Sequence, residues 1–120
     1  TLLVAPTTPP DRAAQIARAS TGFVYLLARV GLTGQSSAAL DAPALRTRID
    51  ALRRATNLPI ACGFGITTAA DVKSVVGAGA ADAAIVGSAL VRAMADSHQT
   101  GKPIPAQASF FIESLRSGLV

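Results

Sequence analysis

One cysteine, one histidine and no long apolar run are the first limits that this 120-residue sequence sets. A lone Cys62 cannot form an internal disulfide, and its place inside an apolar segment makes it a small core residue before it is a nucleophile or ligand. His98 stands among Asp96, Ser97, Gln99 and Thr100 in a stretch that reads as a solvated loop, so no metal site is expected. No apolar run reaches the roughly 18 residues that a membrane-spanning helix needs, and no basic-then-apolar leader opens the chain. The expectation is a cytoplasmic protein with no membrane partner. Acids are scarce as well: 7 Asp and Glu against 11 Lys and Arg give a formal charge of +4. The bases are scattered, however, and the densest group, Arg46, Arg48, Arg53 and Arg54, falls on one amphipathic helix without interleaved aromatics. It reads as a polar helix face, and no nucleic-acid partner is expected.

What is abundant is apolar surface, 50% of residues, enough for a core. Thr1 leads straight into Leu2-Leu3-Val4-Ala5, without methionine or a polar lead-in, which reads as a start in mid-fold. Short, almost continuously apolar segments at residues 2–5, 23–28, 59–62 and 83–86 suit strands buried on both faces, as in a parallel sheet covered by helices. Between and after them lie helical patterns. One runs over 11–19, with Asp11 supporting its start. A second, over 43–56, is opened by Pro43 and carries Leu45, Ile49 and Leu52 as an apolar stripe. A third begins after Thr67 or Thr68, with Asp71 as a capping-box-like acid, and ends at 77–80 in small residues. The last two cover 89–96 and 106–117, the final one turning Phe110, Phe111 and Leu115 inward. The pattern is α/β, four parallel (β/α) units forming one incomplete domain over 1–120. Eight such units close a TIM (β/α)8 barrel of about 250 residues. A half of one would leave two apolar strand edges open, to be covered by another half or by self-association.

The stretch from Pro59 to Ala89 is where chemistry is most legible. One strand ends in Cys62-Gly63-Phe64-Gly65-Ile66, and the next, one helix later, in Val86-Gly87-Ser88-Ala89. Glycines let backbone N–H groups approach an anion, and each following helix aims its N-terminal dipole at the same spot. Either cluster alone reads as an ordinary turn; the two in tandem point to a phosphate cradle. A second candidate is the segment 30–37, small, polar and glycine-punctuated, which is long enough for an active-site loop and also serves as a plain connector.

These residues resemble the tryptophan synthase α subunit family over its C-terminal half. The resemblance rests on Tyr25-Leu26-Leu27-Ala28-Arg29 with Gly31-Leu32-Thr33-Gly34 just after, on Gly63-Phe64-Gly65-Ile66, and on Gly79-Ala80 leading to Ile85-Val86-Gly87-Ser88-Ala89-Leu90-Val91. Glycine-serine strand ends occur in other phosphate-binding barrels; the tyrosine strand joined to the glycine-threonine-glycine loop is the discriminating feature. The resemblance implies a lyase of tryptophan biosynthesis that splits indole-3-glycerol phosphate into indole and glyceraldehyde-3-phosphate by a retro-aldol reaction. It implies a partner β subunit that carries pyridoxal phosphate and joins indole to serine, with no cofactor in this chain.

The cleavage needs an acid and a base. Asp11, Asp41, Asp50, Asp71, Asp82, Asp96 and Glu113 all read as lying on helices or at helix and loop boundaries, and none at the C-terminal end of a strand. The acid and base are therefore expected outside this chain. By the resemblance, Tyr25 holds the base through its hydroxyl and Thr33 reaches the same carboxylate. Phe64 lines the indole pocket, and Gly34, Gly65, Gly87 and Ser88 bind the phosphate. Tyr25 as a barrel-core aromatic and Phe64 as simple packing remain open, as does Arg29 as an ion-pair partner or a ligand contact. The alternative function is a non-catalytic phosphate-binding half barrel that self-associates.

Overall fold

The computed structural model describes residues 1–29 and 40–120. Thr33, Gly34 and the loop expected at 30–37 lie outside the described residues. The elements are β1 (Leu3–Val4), α1 (Pro10–Ala19), β2 (Val24–Leu27), α2 (Ala42–Arg53), β3 (Ile60–Gly63), α3 (Ala69–Lys73), β4 (Ala83–Ile85), α4 (Ser88–Gln99) and α5 (Ile104–Arg116). A π-helical turn, Ser74–Ala78, extends α3, and a 3-10 turn, Ser117–Leu119, follows α5. The four strands form one parallel sheet in the order β1-β2-β3-β4. Helical returns between sequential parallel strands are the β/α pattern expected from the alternation of apolar segments and amphipathic stretches.

Strand residues alternate between two faces. Val4, Val24, Leu26, Ile60 and Cys62 are buried against Ala17, Leu45, Ile49, Leu52, Val72 and Val75 from the helices. The stripe anticipated on α2 is thus the centre of the core. The helix starts at Ala42, one residue before the expected opening, and is capped by Asp41, whose carboxylate accepts from Ala44 N–H at 3.0 Å. The opposite face differs from expectation. Leu3 is 50% exposed and Tyr25 and Leu27 are half-buried, because only one face of this open sheet is covered by helices. Fully apolar strands reflect two buried faces in a closed barrel; here only the inner strand β3 is buried on both.

Two local expectations are corrected. His98 lies in the last turn of α4, which runs to Gln99 rather than stopping near 96. Ser97, the neighbour of His98, is buried and its hydroxyl donates to Lys102 O at 3.3 Å, while the Thr100 hydroxyl donates back to Asp96 O at 2.9 Å; polar side chains here serve the helix end, not a loop. Phe110 points outward at 70% exposure, while Phe111 and Leu115, four residues apart on one helical face, meet the core. The helix ends at 77–80 in small residues as expected, and the left-handed one among them is Ala80 (φ 61). Gly79 is needed for closeness instead: a Cβ there would lie 2.6 Å from Val75 O and 2.8 Å from a methyl of Leu45.

At the N-terminal end of the sheet, Asp82 splices β3 to β4. Its carboxylate accepts from Ile60 N–H at 2.8 Å and pairs with Arg53 at 3.0 Å, and its own N–H donates to Ile60 O at 2.9 Å. Burial would raise this carboxyl, but the Ile60 N–H and the Arg53 guanidinium outweigh it and hold it below the ordinary range.

Candidate functional site

The turns after β3 and β4 open on one cleft at the C-terminal end of the sheet. It holds about 190 Å³ and is lined by Tyr25, Phe64, Gly65, Gly87 and Ser88, together with Ile66, Thr67, Ile85, Ala89 and Arg92. All five sequence-predicted residues that are described meet there.

Each arrives for a local reason. Tyr25 lies on the uncovered face of β2, and its phenol passes over Gly63 of β3. A Cβ on Gly63 would collide with the Tyr25 hydroxyl oxygen, lie 2.9 Å from Cζ, and meet Ile85 Cβ at 3.0 Å. Gly63 is thus a glycine for want of space, not for backbone freedom. Burial, and after it the neighbouring Cys62 sulfur, raises the Tyr25 pKa, so its hydroxyl keeps its proton and can donate to an acceptor. Cys62 itself faces the helix layer, fully buried, and burial lifts its thiol to about 11 against the lowering influence of Arg48. The inert-core reading of this cysteine is the one its surroundings support.

Phe64 (φ 81) and Gly65 (φ 75) are consecutive left-handed residues. The glycine accepts that conformation freely and the phenylalanine does so at some strain, which lifts its ring to the cleft. Thr68 then caps α3: its side chain accepts from Asp71 N–H at 3.1 Å. Asp71 Oδ2 completes the capping box by accepting from Thr68 N–H at 3.0 Å, and also from Thr67 N–H at 3.0 Å. Across the cleft, Gly87 is the N-cap of the 12-residue α4, with no side-chain cap of its own, and Ser88 is the first helical residue. The leading N–H groups of a helix lack intrahelical partners and carry the positive end of its dipole.

The electrostatics have one sign. Among the described residues no acid lines the cleft, and Arg92, one turn beyond Ser88 on the same face of α4, brings a positive charge to it. Asp41 and Asp71, at the starts of α2 and α3, are engaged in helix capping. Among the described residues, no group of three or more His, Cys, Asp or Glu comes together. A small anionic group is what this arrangement suits. Thr67 and Arg92 escaped the sequence reading, although Arg92 stands four residues after Ser88 at helical spacing, a signal available in the sequence.

Four sequential parallel strands, each returned by a helix, with one cleft at their C-terminal ends, define a (β/α)-barrel protein. The chain belongs to the tryptophan synthase alpha chain family, whose model matches residues 1–118. It is 44% identical to the tryptophan synthase alpha chain of Synechococcus sp. (strain CC9902) over 119 residues, covering 96% of this chain and 41% of that protein. With the Arabidopsis thaliana protein the identity is 39% over 119 residues, covering 99% and 42%. Among solved structures, the alpha subunit from Campylobacter jejuni superposes with a TM-score of 0.71 at 33% identity, covering 96% of this chain and 42% of that one. The Legionella pneumophila str. Paris subunit gives 0.74 at 27%, covering 98% and 40%. The chain therefore spans about two-fifths of the length of the relatives it matches.

Proposed function

We propose that this chain forms the phosphate-binding side of an enzyme that cleaves indole-3-glycerol phosphate into indole and glyceraldehyde-3-phosphate. The observation that carries the reading is the meeting of Tyr25, Phe64, Gly65, Gly87 and Ser88 on one cleft that holds an arginine and no acid. The phosphate sits against the N–H groups of Gly65, Gly87 and Ser88 and the Ser88 hydroxyl, with Gly34 approaching from the loop. Phe64 flanks the indole ring. Cleavage of the bond between the indole ring and the glycerol chain needs a proton delivered to the ring carbon, and a base for the indole N–H and the glycerol hydroxyl that becomes the aldehyde. Tyr25 holds that base carboxylate from another part of the barrel, and Thr33 reaches it from the loop. The site on this chain binds and orients, and the acid and base are supplied by the other half. Indole then passes to a pyridoxal-phosphate-dependent β subunit, the cofactor belonging to that partner, in the cytoplasm.

The assay is indole release from indole-3-glycerol phosphate by this chain joined to the N-terminal half of a family member. We expect turnover, and a Tyr25→Phe variant with kcat lowered at least tenfold and KM little changed, since the hydroxyl acts on the base rather than the phosphate. A soluble assembled barrel that releases no indole overturns the reading.

The exposed Leu2 and Leu3 along β1 favour a second reading, a phosphate-binding half barrel that pairs with a second copy. Light scattering over a range of concentrations should then report a dimer, and a strict monomer excludes it.

A further inference from the structure

We propose that Arg29 and Asp71 are a positioning pair that holds the turn between β3 and α3 in its anion-accepting shape. The inference rests on the reading of the cleft as a phosphate site. Arg29 follows β2 by two residues, and the intervening Ala28 N–H donates to Gly63 O at 2.7 Å, so the end of β2 is already tied to β3. From there the arginine meets the turn twice. Its stem runs along Gly65, where a Cβ would lie 3.3 Å from Arg29 Cδ and 3.4 Å from Nε. Its Nη2 reaches Asp71 Oδ1 at 3.0 Å, with the two side chains only 12% and 20% exposed.

The two carboxylate oxygens of Asp71 divide the work. While Oδ1 takes Arg29, Oδ2 accepts from the N–H and hydroxyl of Thr67 at 3.0 and 3.1 Å and from those of Thr68 at 3.0 and 2.9 Å. Thr67 is itself part of the cleft wall. The pair therefore fixes both ends of a turn whose Phe64 and Gly65 sit in the left-handed region, where backbone otherwise has cheaper conformations. Neither Arg29 nor Asp71 lines the cleft, so both act on a bound anion through the turn. The Arg53–Asp82 pair at the opposite end of the sheet is the natural control, since it splices strands, is 42% and 40% exposed, and lies away from the cleft.

Charge alone and positioning predict different signs. If the pair mattered only through its field, Arg29→Met would weaken anion binding and Asp71→Asn, by removing a negative charge, would strengthen it. Positioning predicts weakening in both. Calorimetric titration of the chain with inorganic phosphate should show affinity lowered about tenfold in each variant, and Arg29→Lys, which keeps the ion pair, within about threefold of the parent. Asp82→Asn should leave affinity unchanged. Amide exchange without ligand should speed up at residues 65–68 in Asp71→Asn and Arg29→Met, and not in Asp82→Asn. Equal or tighter phosphate binding by Asp71→Asn overturns the proposal, as does an equal loss in Asp82→Asn. If the parent chain takes up no phosphate, the phosphate reading falls, and exchange at 65–68 decides alone: unchanged rates there remove the bracket as well.

Discussion

Replacing Gly63 by alanine is expected to destabilise the chain by about 3 kcal/mol, the upper range for forcing an extra methyl into a packed site. The added Cβ has nowhere to go. It would strike the Tyr25 hydroxyl, stand 2.9 Å from Cζ, and press on Ile85 Cβ at 3.0 Å. Gly63 pairs with Leu27 on one side and Ile85 on the other, so the backbone cannot retreat without breaking the middle of the sheet. The alternative is to rotate the phenol off β3, which moves the Tyr25 hydroxyl away from the cleft. Either response is measurable: urea unfolding should give the stability loss, equivalent to a fall of roughly 10 °C in Tm for a domain of this size. A Gly63→Ala/Tyr25→Ala double variant should be less destabilised than the sum of the single variants, because removing the ring removes the collision. Strict additivity would mean that the phenol does not occupy the space above Gly63. Gly87→Ala, at a glycine with nothing within 4 Å of the added carbon, meets no such collision and should lose less than about 1 kcal/mol, the cost of a poorer N-cap on α4.

Much of this was legible because the sequence repeats one physical pattern. Apolar segments of four to six residues, each followed by amphipathic helical spacing, predict β/α units, and the Leu45, Ile49, Leu52 stripe predicts which face of α2 enters the core. The capping-box acid Asp71 is readable from spacing, and of Thr67 and Thr68, between which the sequence leaves the cap open, Thr68 forms it. The glycine clusters at 63–65 and 87–88 likewise marked two walls of the cleft. Composition could not reveal which glycine is there for space and which for φ, because that depends on the neighbouring strand: Gly63 is set by Tyr25, Gly65 by its own left-handed backbone. It also gave Phe110 and Phe111 the same apolar weight, although only one position of an adjacent helical pair can face the core. Arg29 was open between ion pair and ligand contact because its partner Asp71 is 42 residues away in sequence. In the structure Arg29 pairs with Asp71 at 3.0 Å.

The strongest functional discriminator is Gly87→Asp, which should separate binding from folding. With phosphate or glycerol phosphate at about 100 times its dissociation constant, the parent gains about 2.7 kcal/mol of stability by mass action, read as a rise in Tm. The aspartate variant should lose that protection entirely. Its fold should not suffer, since the position has open space around it, its φ of −118 is outside the left-handed region, and it is the N-cap of α4. Aspartate is a favoured N-cap whose side chain satisfies a first-turn N–H, so the unliganded variant should melt at or slightly above the parent, a gain of roughly a few tenths of a kcal/mol over glycine. The same carboxylate that caps the helix then occupies the place of the ligand and repels it. Gly87→Asn, a cap without the charge, should keep part of the protection, which distinguishes repulsion from blockage. Phosphate that leaves the parent Tm where it was, or that protects Gly87→Asp equally, would mean that the Gly65 amide and those at the start of α4 do not share an anion, and the cleft would lose its assignment.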